Sequence, residues 1–183
     1  MTTTDASTTT LPLSAGRWTL DAAHSSVGFS IRHLGVSKVR GRFTAFETDV
    51  VIGSDLGSTS LTATIDLASI DTANADRDAH VRSDDIVDVA QRPTLTYRST
   101  AVVADGEGWT VEGEATIGGI TVPVALAVEL GGVEVYPLDE RLHAGFEARG
   151  ELRRSDFGIA PQLPSALLGD VLKFELDLQL VEP

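Results

Sequence analysis

Four histidines are the residues of this chain whose type best suits chemistry near neutral pH, because imidazole titrates there and also binds transition metals. A mononuclear metal site would draw on His24, His33, His80 and Asp78. The spacings among these residues are long, and the chain contains no HxH or HExxH motif. We therefore favour the interpretation that the histidines anchor loops through hydrogen bonds, and we expect neither a metal nor another cofactor.

Hydrolytic or acid–base catalysis has weak support in the sequence. Ser25, His24 and Asp21 form a triad by residue type, but neighbouring side chains on a strand point to opposite faces. No GxSxG turn occurs. A broader alternative is an enzyme acting on a hydrophobic substrate, with His24 or His80 as the base and Asp78 orienting it. We expect a protein without catalytic activity, and keep this enzyme and the histidine metal site as alternatives.

The elements that must position these side chains follow from an alternation of apolar and polar residues. The last segment is the clearest, since apolar residues at every second position from Leu172 to Leu180 alternate with polar ones. Strict alternation predicts a half-buried antiparallel strand. The pattern predicts strands at residues 17–20, 26–33, 39–43, 46–52, 61–67, 95–103, 109–117, 122–130, 142–152 and 172–180. Many such strands with few helices predict a closed barrel or a sandwich.

Two stretches interrupt this alternation. Residues 71–89 carry mixed charges and sparse apolar positions, which predicts one or two short helices with Thr72 or Ser83 as N-cap. The dense charges are typical of a solvated helix face, although they could also tie the mouth of a barrel. Residues 161–169 are predicted to form a loop that could hold one helical turn.

Composition limits the class of protein further. The 183 residues suit one domain with or without a tail, and the lack of cysteine excludes disulfides, thiolate zinc sites and a cysteine nucleophile. A net charge of −13 argues against nucleic acid as a partner and against attachment to an anionic membrane by charge alone. No apolar run approaches the roughly 20 residues of an integral membrane span.

The N-terminal segment differs in composition from the rest of the chain. It is rich in Thr and Ser, and it has neither the positive start nor the apolar stretch of a secretory signal. From Arg17 onward the alternation of apolar residues begins. We therefore predict a disordered tail at residues 1–15, a single domain at residues 16–183 and a cytoplasmic location.

Two of the predicted strands have large residues at their ends and small ones in the middle. One presents Trp109, Val111, Gly113, Ala115 and Ile117 on one face, and the other presents Ala144, Phe146, Ala148, Gly150 and Leu152. In a closed barrel, small inward residues at mid-height would leave an apolar cavity able to hold a hydrophobic ligand. The alternative is that they only accommodate the taper of the barrel or closely packed sheets.

A series of short motifs runs through the chain in a distinctive order. These are Trp18-Thr19-Leu20-Asp21, His24-Ser25, Val27-Gly28-Phe29, His33-Leu34-Gly35, Val39-Arg40-Gly41-Arg42-Phe43, Ala68-Ser69-Ile70-Asp71-Thr72, Arg77-Asp78-Ala79-His80-Val81-Arg82-Ser83, Pro93-Thr94-Leu95-Thr96-Tyr97, a hairpin at residues 113–124, and Arg154-Ser155-Asp156-Phe157-Gly158-Ile159. Their order resembles the YceI family of lipocalin-like polyisoprenoid-binding proteins. The chain departs from the family pattern at Ile86-Val87, where aromatic residues are usual, and at residues 162–169.

The resemblance carries expectations about fold and function. It implies an all-β fold, an extended antiparallel lipocalin-like β-barrel of about eight strands with one or two short helices. The interior would be an apolar tunnel for non-catalytic binding, storage or transport of a long-chain isoprenoid or a similar lipid. Family members commonly pair, so a homodimer is expected. Many members work in the periplasm, unlike the cytoplasmic location predicted for this chain.

The small-centred apolar faces and the implied tunnel together select the candidate site residues. The apolar lining candidates are Phe29, Ile31, Phe43, Ile65, Tyr97, Val111, Ile117, Leu126, Phe146 and Phe157. The polar candidates at the mouth, which either contact the ligand or fix loops and barrel closure, are His24, Arg77, Asp78, His80 and Arg154. The face assignment depends on register, because a slip of one residue would turn every lining side chain outward.

Overall fold

A computed structural model of the protein describes residues 10–183, in which antiparallel strands are the main element. In chain order the elements are β1 (Gly16–Leu20), β2 (Ser26–His33), β3 (Ser37–Phe43), β4 (Phe46–Ile52), β5 (Ser60–Asp66), β6 (Ile70–Asp71), α1 (Ala75–Arg82), β7 (Thr94–Asp105), β8 (Gly108–Ile117), β9 (Ile120–Val135), β10 (Leu142–Arg153) and β11 (Leu168–Val181). Short 3₁₀ turns lie at Ala22–His24, Leu56–Ser58, Leu67–Ser69 and Arg154–Phe157. The strand positions follow the alternation of the sequence closely.

The sheet closes on itself, which confirms the predicted barrel. Its strand order is β1-β4-β5-β7-β8-β9-β10-β11, and β11 returns to β1 through the pairs Thr19↔Val181 and Leu20↔Leu180. At the other end of β11 the wall is extended by β2, β3 and β6 in that order. Thr44 then donates its backbone N–H to the Ser69 carbonyl at 3.2 Å, which joins this extension to the segment after β5. The result is an extended barrel whose two ends are built from different strands.

One α-helix, α1, occupies the predicted helical stretch. Its N-cap is Asn74, whose side-chain oxygen accepts the Arg77 backbone N–H at 2.9 Å. The sequence-based choice of Thr72 or Ser83 as N-cap was wrong, because the Thr72 hydroxyl and N–H both donate to Asp78 and Ser83 follows the last helical turn. Among residues 10–183, no helix has the length and apolar character needed to cross a membrane.

The inward faces form two apolar clusters along the barrel. The larger cluster surrounds Phe29, Tyr97 and Phe157, and the smaller one surrounds Trp18 and Leu180. Residues 10–15 form no helix or strand, but the side chains of Leu11 and Leu13 pack against the smaller cluster. The rest of the predicted tail, residues 1–9, lies outside the described residues, so disorder there stays a prediction.

Small residues inside the barrel serve two different purposes. Ala115 and Ala148, which belong to the two small-centred faces, line open space as the sequence suggested. Gly113 and Gly150 instead admit large neighbours, since a Cβ at Gly113 would lie 2.4 Å from the Tyr97 ring and one at Gly150 would lie 2.6 Å from Leu126 Cδ2. These glycines therefore let bulky side chains lie flat against the wall. For this part of the interior, the small residues serve close packing and do not open a cavity.

A substitution of Gly113 tests whether this glycine makes room for the Tyr97 ring. In Gly113→Ala the new methyl group would also lie 2.6 Å from the Arg98 carbonyl oxygen, so backbone must shift, and we expect a loss of about 1–3 kcal/mol in the free energy of unfolding. Gly145→Ala is the matched control, because no atom lies within 4 Å of its added Cβ. Urea unfolding should find the control unchanged or stabilised by up to about 1 kcal/mol. Equal stability of both variants would contradict the predicted crowding.

Candidate functional site: three apolar chambers in line

The barrel encloses a wide chamber near the start of β11. Its volume is about 350 Å³, within the range of small-molecule pockets. Strands β2, β3 and β11, helix α1 and the segment after β10 all contribute to its wall. This wall contains Ile86 and Val87 as well as the phenylalanines Phe29, Phe43, Phe157 and Phe174.

Two smaller chambers continue the wide chamber along the barrel. The middle chamber has about 70 Å³ and the inner chamber about 90 Å³, and the open surface of both is apolar. The wide and middle chambers share Leu95, Leu152 and Phe174 as walls. The middle and inner chambers share Leu61, Leu126, Leu176 and Leu178. The three spaces therefore lie in line, separated mainly by leucine side chains.

Every apolar residue proposed from the sequence as lining lies in the wall of one of these chambers. Phe29, Ile31, Phe43, Ile117 and Phe157 line the wide chamber. Ile65, Tyr97 and Leu126 line the middle chamber, and Val111, Leu126 and Phe146 line the inner one. The register thus places the expected faces inward, while contact of these residues with a ligand stays a prediction.

The polar candidates do not form one group. Arg77 and His80 lie in the wall of the wide chamber together with Arg154, and Asp78 is buried on α1 beside them. His24 lines none of the three chambers. It lies in the turn between β1 and β2, mostly exposed, where its Nδ1 is 2.7 Å from Asp21 Oδ2. The mouth proposed from the sequence therefore contains four of its five residues.

Arg154 is only 5% exposed and forms no ion pair with a carboxylate of residues 10–183. Its Nε donates to the Gly169 carbonyl, Nη1 to those of Ile159 and Ala160, and Nη2 to those of Leu163 and Leu168, at 2.6–3.1 Å. A guanidinium has five N–H groups, so every donor is used by backbone. Arg154 holds the segment that walls the wide chamber and has no N–H left for a ligand.

The charge of Arg154 also acts on Asp170 nearby. Burial alone would raise the pKa of Asp170, but hydrogen bonds from Ser155 and Arg153 and the positive charge of Arg154 hold it below its ordinary 3.8. The ionised carboxylate accepts the Ser155 backbone N–H at 3.0 Å and the Ser155 hydroxyl at 2.8 Å. The start of the segment after β10 is therefore fixed to β11 at neutral pH.

The carboxylate of Asp78 accepts two hydrogen bonds from Thr72. Its Oδ1 accepts the Thr72 N–H at 2.9 Å and the Thr72 hydroxyl at 2.6 Å, and Arg77 Nε donates to the same hydroxyl at 2.8 Å. Asp78 forms no hydrogen bond with His24 or His80 within the described part of the chain. His80 Nε2 instead lies 3.6 Å from Asp85, with both side chains exposed. The His–Asp78 pair that the enzyme alternative needs is not formed.

The residues suggested for a metal site are likewise dispersed. His24 lies outside the chambers, His33 and His80 lie in different walls of the wide chamber, and Asp78 is bonded to Thr72. Within residues 10–183, no three side chains of His, Asp or Glu come close enough to hold an ion.

Tyr97 and Thr48 place hydroxyl groups in the otherwise apolar middle chamber. The Tyr97 hydroxyl lies 3.1 Å from the carbonyl oxygens of both Val111 and Val124 and donates to them. Burial, with the charge of Glu112, raises the pKa of Tyr97 to about 12, so it is neutral. Thr48 Oγ1 is buried without a hydrogen-bond partner among the described residues. Sequence reasoning missed Thr48, although its inward position between Phe46 and Val50 could have revealed it.

Comparison with known proteins places this chamber system in a family. The model of the YceI-like domain matches residues 18–180. Protein YceI of Escherichia coli is 36% identical over 147 residues, which cover 80% of this chain and 76% of that protein. A YceI protein of Campylobacter jejuni has a solved structure that superposes with a TM-score of 0.74 at 31% identity, covering 90% of this chain and 97% of the other.

A more distant structure has the same fold. It is a domain from Saccharophagus degradans described as polyisoprenoid binding and implicated in plant cell wall breakdown. It superposes with a TM-score of 0.60 at 18% identity, covering 93% of this chain and all of the other. At this identity the likeness concerns the fold of the barrel.

Tyr97→Phe should separate the role of the hydroxyl from that of the ring. The variant removes the buried hydroxyl that donates to the Val111 and Val124 carbonyl oxygens, so we expect a loss of about 0.5–1.5 kcal/mol in the free energy of unfolding near neutral pH. The pKa of Tyr97 is raised from 10.0 to about 12 in the folded protein. The greater stability of the natural protein over Tyr97→Phe is therefore fully present below pH 10 and is lost as the pH rises from 10 to about 12. Urea unfolding across this range checks it, and a difference that stays constant would contradict it.

Thr48→Val should change stability in the opposite direction from a similar substitution at Thr72. Removing the unpartnered Thr48 hydroxyl is expected to raise the free energy of unfolding by about 1 kcal/mol. Thr72→Val is expected to lower it by about 1–3 kcal/mol, because Asp78 and Arg77 lose a shared partner. Thermal unfolding of both variants measures the contrast. Equal destabilisation would mean that the Thr48 hydroxyl has a partner in solution.

Proposed function

The chain belongs to the YceI-like family, and from that premise we propose that it binds a long-chain isoprenoid or a similar lipid without transforming it. The observation that carries this proposal is the linear arrangement of three apolar chambers inside one barrel. A compact ligand would need only the wide chamber. A long, narrow hydrocarbon is the class of molecule that can use all three.

The chemistry of the interior supports an apolar chain rather than a polar one. The middle and inner chambers expose apolar surface, and the Tyr97 hydroxyl already donates to carbonyl oxygens. Burying hydrocarbon against such walls contributes roughly 25 cal/mol per Å² before the entropy costs of binding. Selectivity would therefore come from length and thickness of the chain, because few polar groups face it.

The wide chamber is the place for the polar end of such a lipid. Arg77 uses Nε and Nη2 to hold Thr72, while its Nη1 forms no hydrogen bond within residues 10–183. His80 contributes an imidazole to the same wall. A head group at this end would meet donors, whereas the middle and inner chambers would exclude it. A long isoprenoid is also the class of ligand named for the Saccharophagus degradans domain.

The proposal of binding without catalysis follows from the placement of the titratable groups. Asp78 bonds to Thr72, His24 lies outside the chambers, and the imidazole of His80 faces exposed Asp85. No described carboxylate therefore orients a histidine toward the chambers in the way that an acid–base pair requires. The homodimer and the cytoplasmic location stay predictions.

Organic extraction of natively purified protein followed by mass spectrometry tests the function. We expect a long-chain lipid in the natural protein and a shorter one in Ala63→Phe, because the new ring fills the middle chamber. Ala127→Phe is the matched control, since Ala127 is exposed on the outer face of β9. Circular dichroism verifies that both variants keep the barrel.

Two results would contradict the proposal. One is an extract without any apolar long-chain compound, also after incubation of the protein with polyisoprenoids. The other is a lipid of the same length in Ala63→Phe and in the natural protein, which would place the ligand outside the middle chamber.

A further inference from the structure

The hairpin of β2 and β3 has a charge opposite to that of the whole protein. Residues 26–43 contain Arg32, Lys38, Arg40 and Arg42 and no acidic residue, in a chain of net charge −13. Arg42 forms an ion pair with Asp71 at 3.1 Å. The other three are exposed and form no ion pair within residues 10–183. The hairpin is thus a local basic surface on an acidic protein.

The basic residues are also arranged at a cost to the fold. Arg32 and Lys38 are direct cross-strand partners, and Arg40 lies opposite Ser30 on the same outward face. Like charges directly opposite each other destabilise a pair of strands. Since no described acidic side chain relieves this repulsion, the arrangement fits a surface whose negative partner comes from another molecule.

The tip of this hairpin is apolar and exposed. Leu34 is 54% and Val36 is 83% exposed, and Leu34 adopts a left-handed backbone conformation with φ of 54°. A non-glycine residue in this conformation costs about 1 kcal/mol or more. The Leu34 N–H donates to the Leu167 carbonyl at 2.9 Å, and Leu167 is itself 38% exposed. Residues 157–169 contain no charged side chain.

The apolar tip lies at the mouth of the wide chamber. Leu167 is both exposed and part of the chamber wall, and His33, next to Leu34, lines the same space. Asp84 and Asp85 precede the wall residue Ile86 and are exposed, and Gln162 of the 157–169 segment donates to the Asp85 carbonyl at 2.6 Å, so the rim has a basic and an acidic part. A partner surface that is negative and partly apolar would meet the basic hairpin.

We propose that the mouth of the barrel docks on an anionic lipid bilayer through the tip of the β2–β3 hairpin. Leu34, Val36 and Leu167 enter the interface, and Arg32, Lys38 and Arg40 contact lipid phosphates. Interfacial binding of this kind combines a small apolar insertion with basic residues around it. Salt screens the distant acidic residues over about 10 Å, so the local charge decides. The docking itself does not depend on the proposed function. Only the identity of the molecule that would pass between the bilayer and the chamber, a lipid, rests on that proposal.

Sedimentation with vesicles tests the docking surface directly. The full chain is mixed with vesicles of phosphatidylcholine alone and of phosphatidylcholine with phosphatidylglycerol. We expect binding to the anionic vesicles only, weakening as salt is added. The triple variant Arg32→Gln, Lys38→Gln, Arg40→Gln should bind about a hundredfold more weakly. Its melting temperature should not fall, because a repulsion within the hairpin is removed.

The apolar tip is tested by one variant and a matched control. Val36→Asp should weaken binding at least about tenfold, since it replaces an inserted side chain with a charge. Leu138→Asp introduces the same charge at an equally exposed residue, 82% exposed, in the turn at the opposite end of the barrel. This control should bind as the natural protein does.

Three results would overturn the proposal. These are absence of binding to anionic vesicles, equal binding by Val36→Asp and Leu138→Asp, and a change of oligomeric state in Val36→Asp with unchanged vesicle binding. The last would assign the tip to a second copy of the chain. Lipid extraction distinguishes failure of docking from failure of the proposed function, because a protein can carry lipid without binding vesicles and can bind vesicles while its chambers stay empty.

Discussion

One buried guanidinium supports the end of the barrel where the wide chamber lies. The segment between β10 and β11 leaves the sheet, so its carbonyl groups have no strand partners, and buried carbonyls without donors are costly. Arg154 meets this need by donating to the carbonyls of Ile159, Ala160 and Leu163 in this segment and to those of Leu168 and Gly169 at the start of β11. The wide chamber beside this loop can stay open because hydrogen bonds to Arg154 fix the loop. Side chains packed inside the chamber are then not needed to hold it in place.

The rest of the interior follows the same logic. In a barrel with few aromatic residues, shape comes from strand pairing and from a small number of large side chains laid against glycines. Tyr97 lies over Gly113 and bonds the carbonyls of two neighbouring strands, which ties the wall where the middle chamber makes it thin. The Thr72–Asp78 pair does the same for α1 against β6. Polar groups thus maintain an apolar space without filling it.

Alternation in the sequence predicted the strands but left a barrel or a sandwich open, and the resemblance to the YceI family selected the barrel. Period two is a local property, and one correct inward residue such as Phe29 determines the others through the register. The polar candidates were harder. His24 lies in a 3₁₀ turn after Asp21, outside the chambers, and local sequence does not reveal this placement. The role of Arg154 depends on carbonyl groups up to fifteen residues away along the chain, which become its neighbours only in the folded protein. Net charge is likewise a sum over the whole chain and does not show that residues 26–43 are locally basic.

The two ends of the barrel are covered by different parts of the chain. At the inner end Trp18 is buried, its indole N–H donates to the Ser14 carbonyl at 3.0 Å, and Leu11 lines the inner chamber. At the other end the wall is a loop with several exposed residues and a hairpin with an open tip. A hydrocarbon chain bound as proposed would pass between the leucine side chains that separate the chambers. Because each step exchanges leucine–leucine contacts for leucine–ligand contacts, these leucine partitions would resist its passage only weakly.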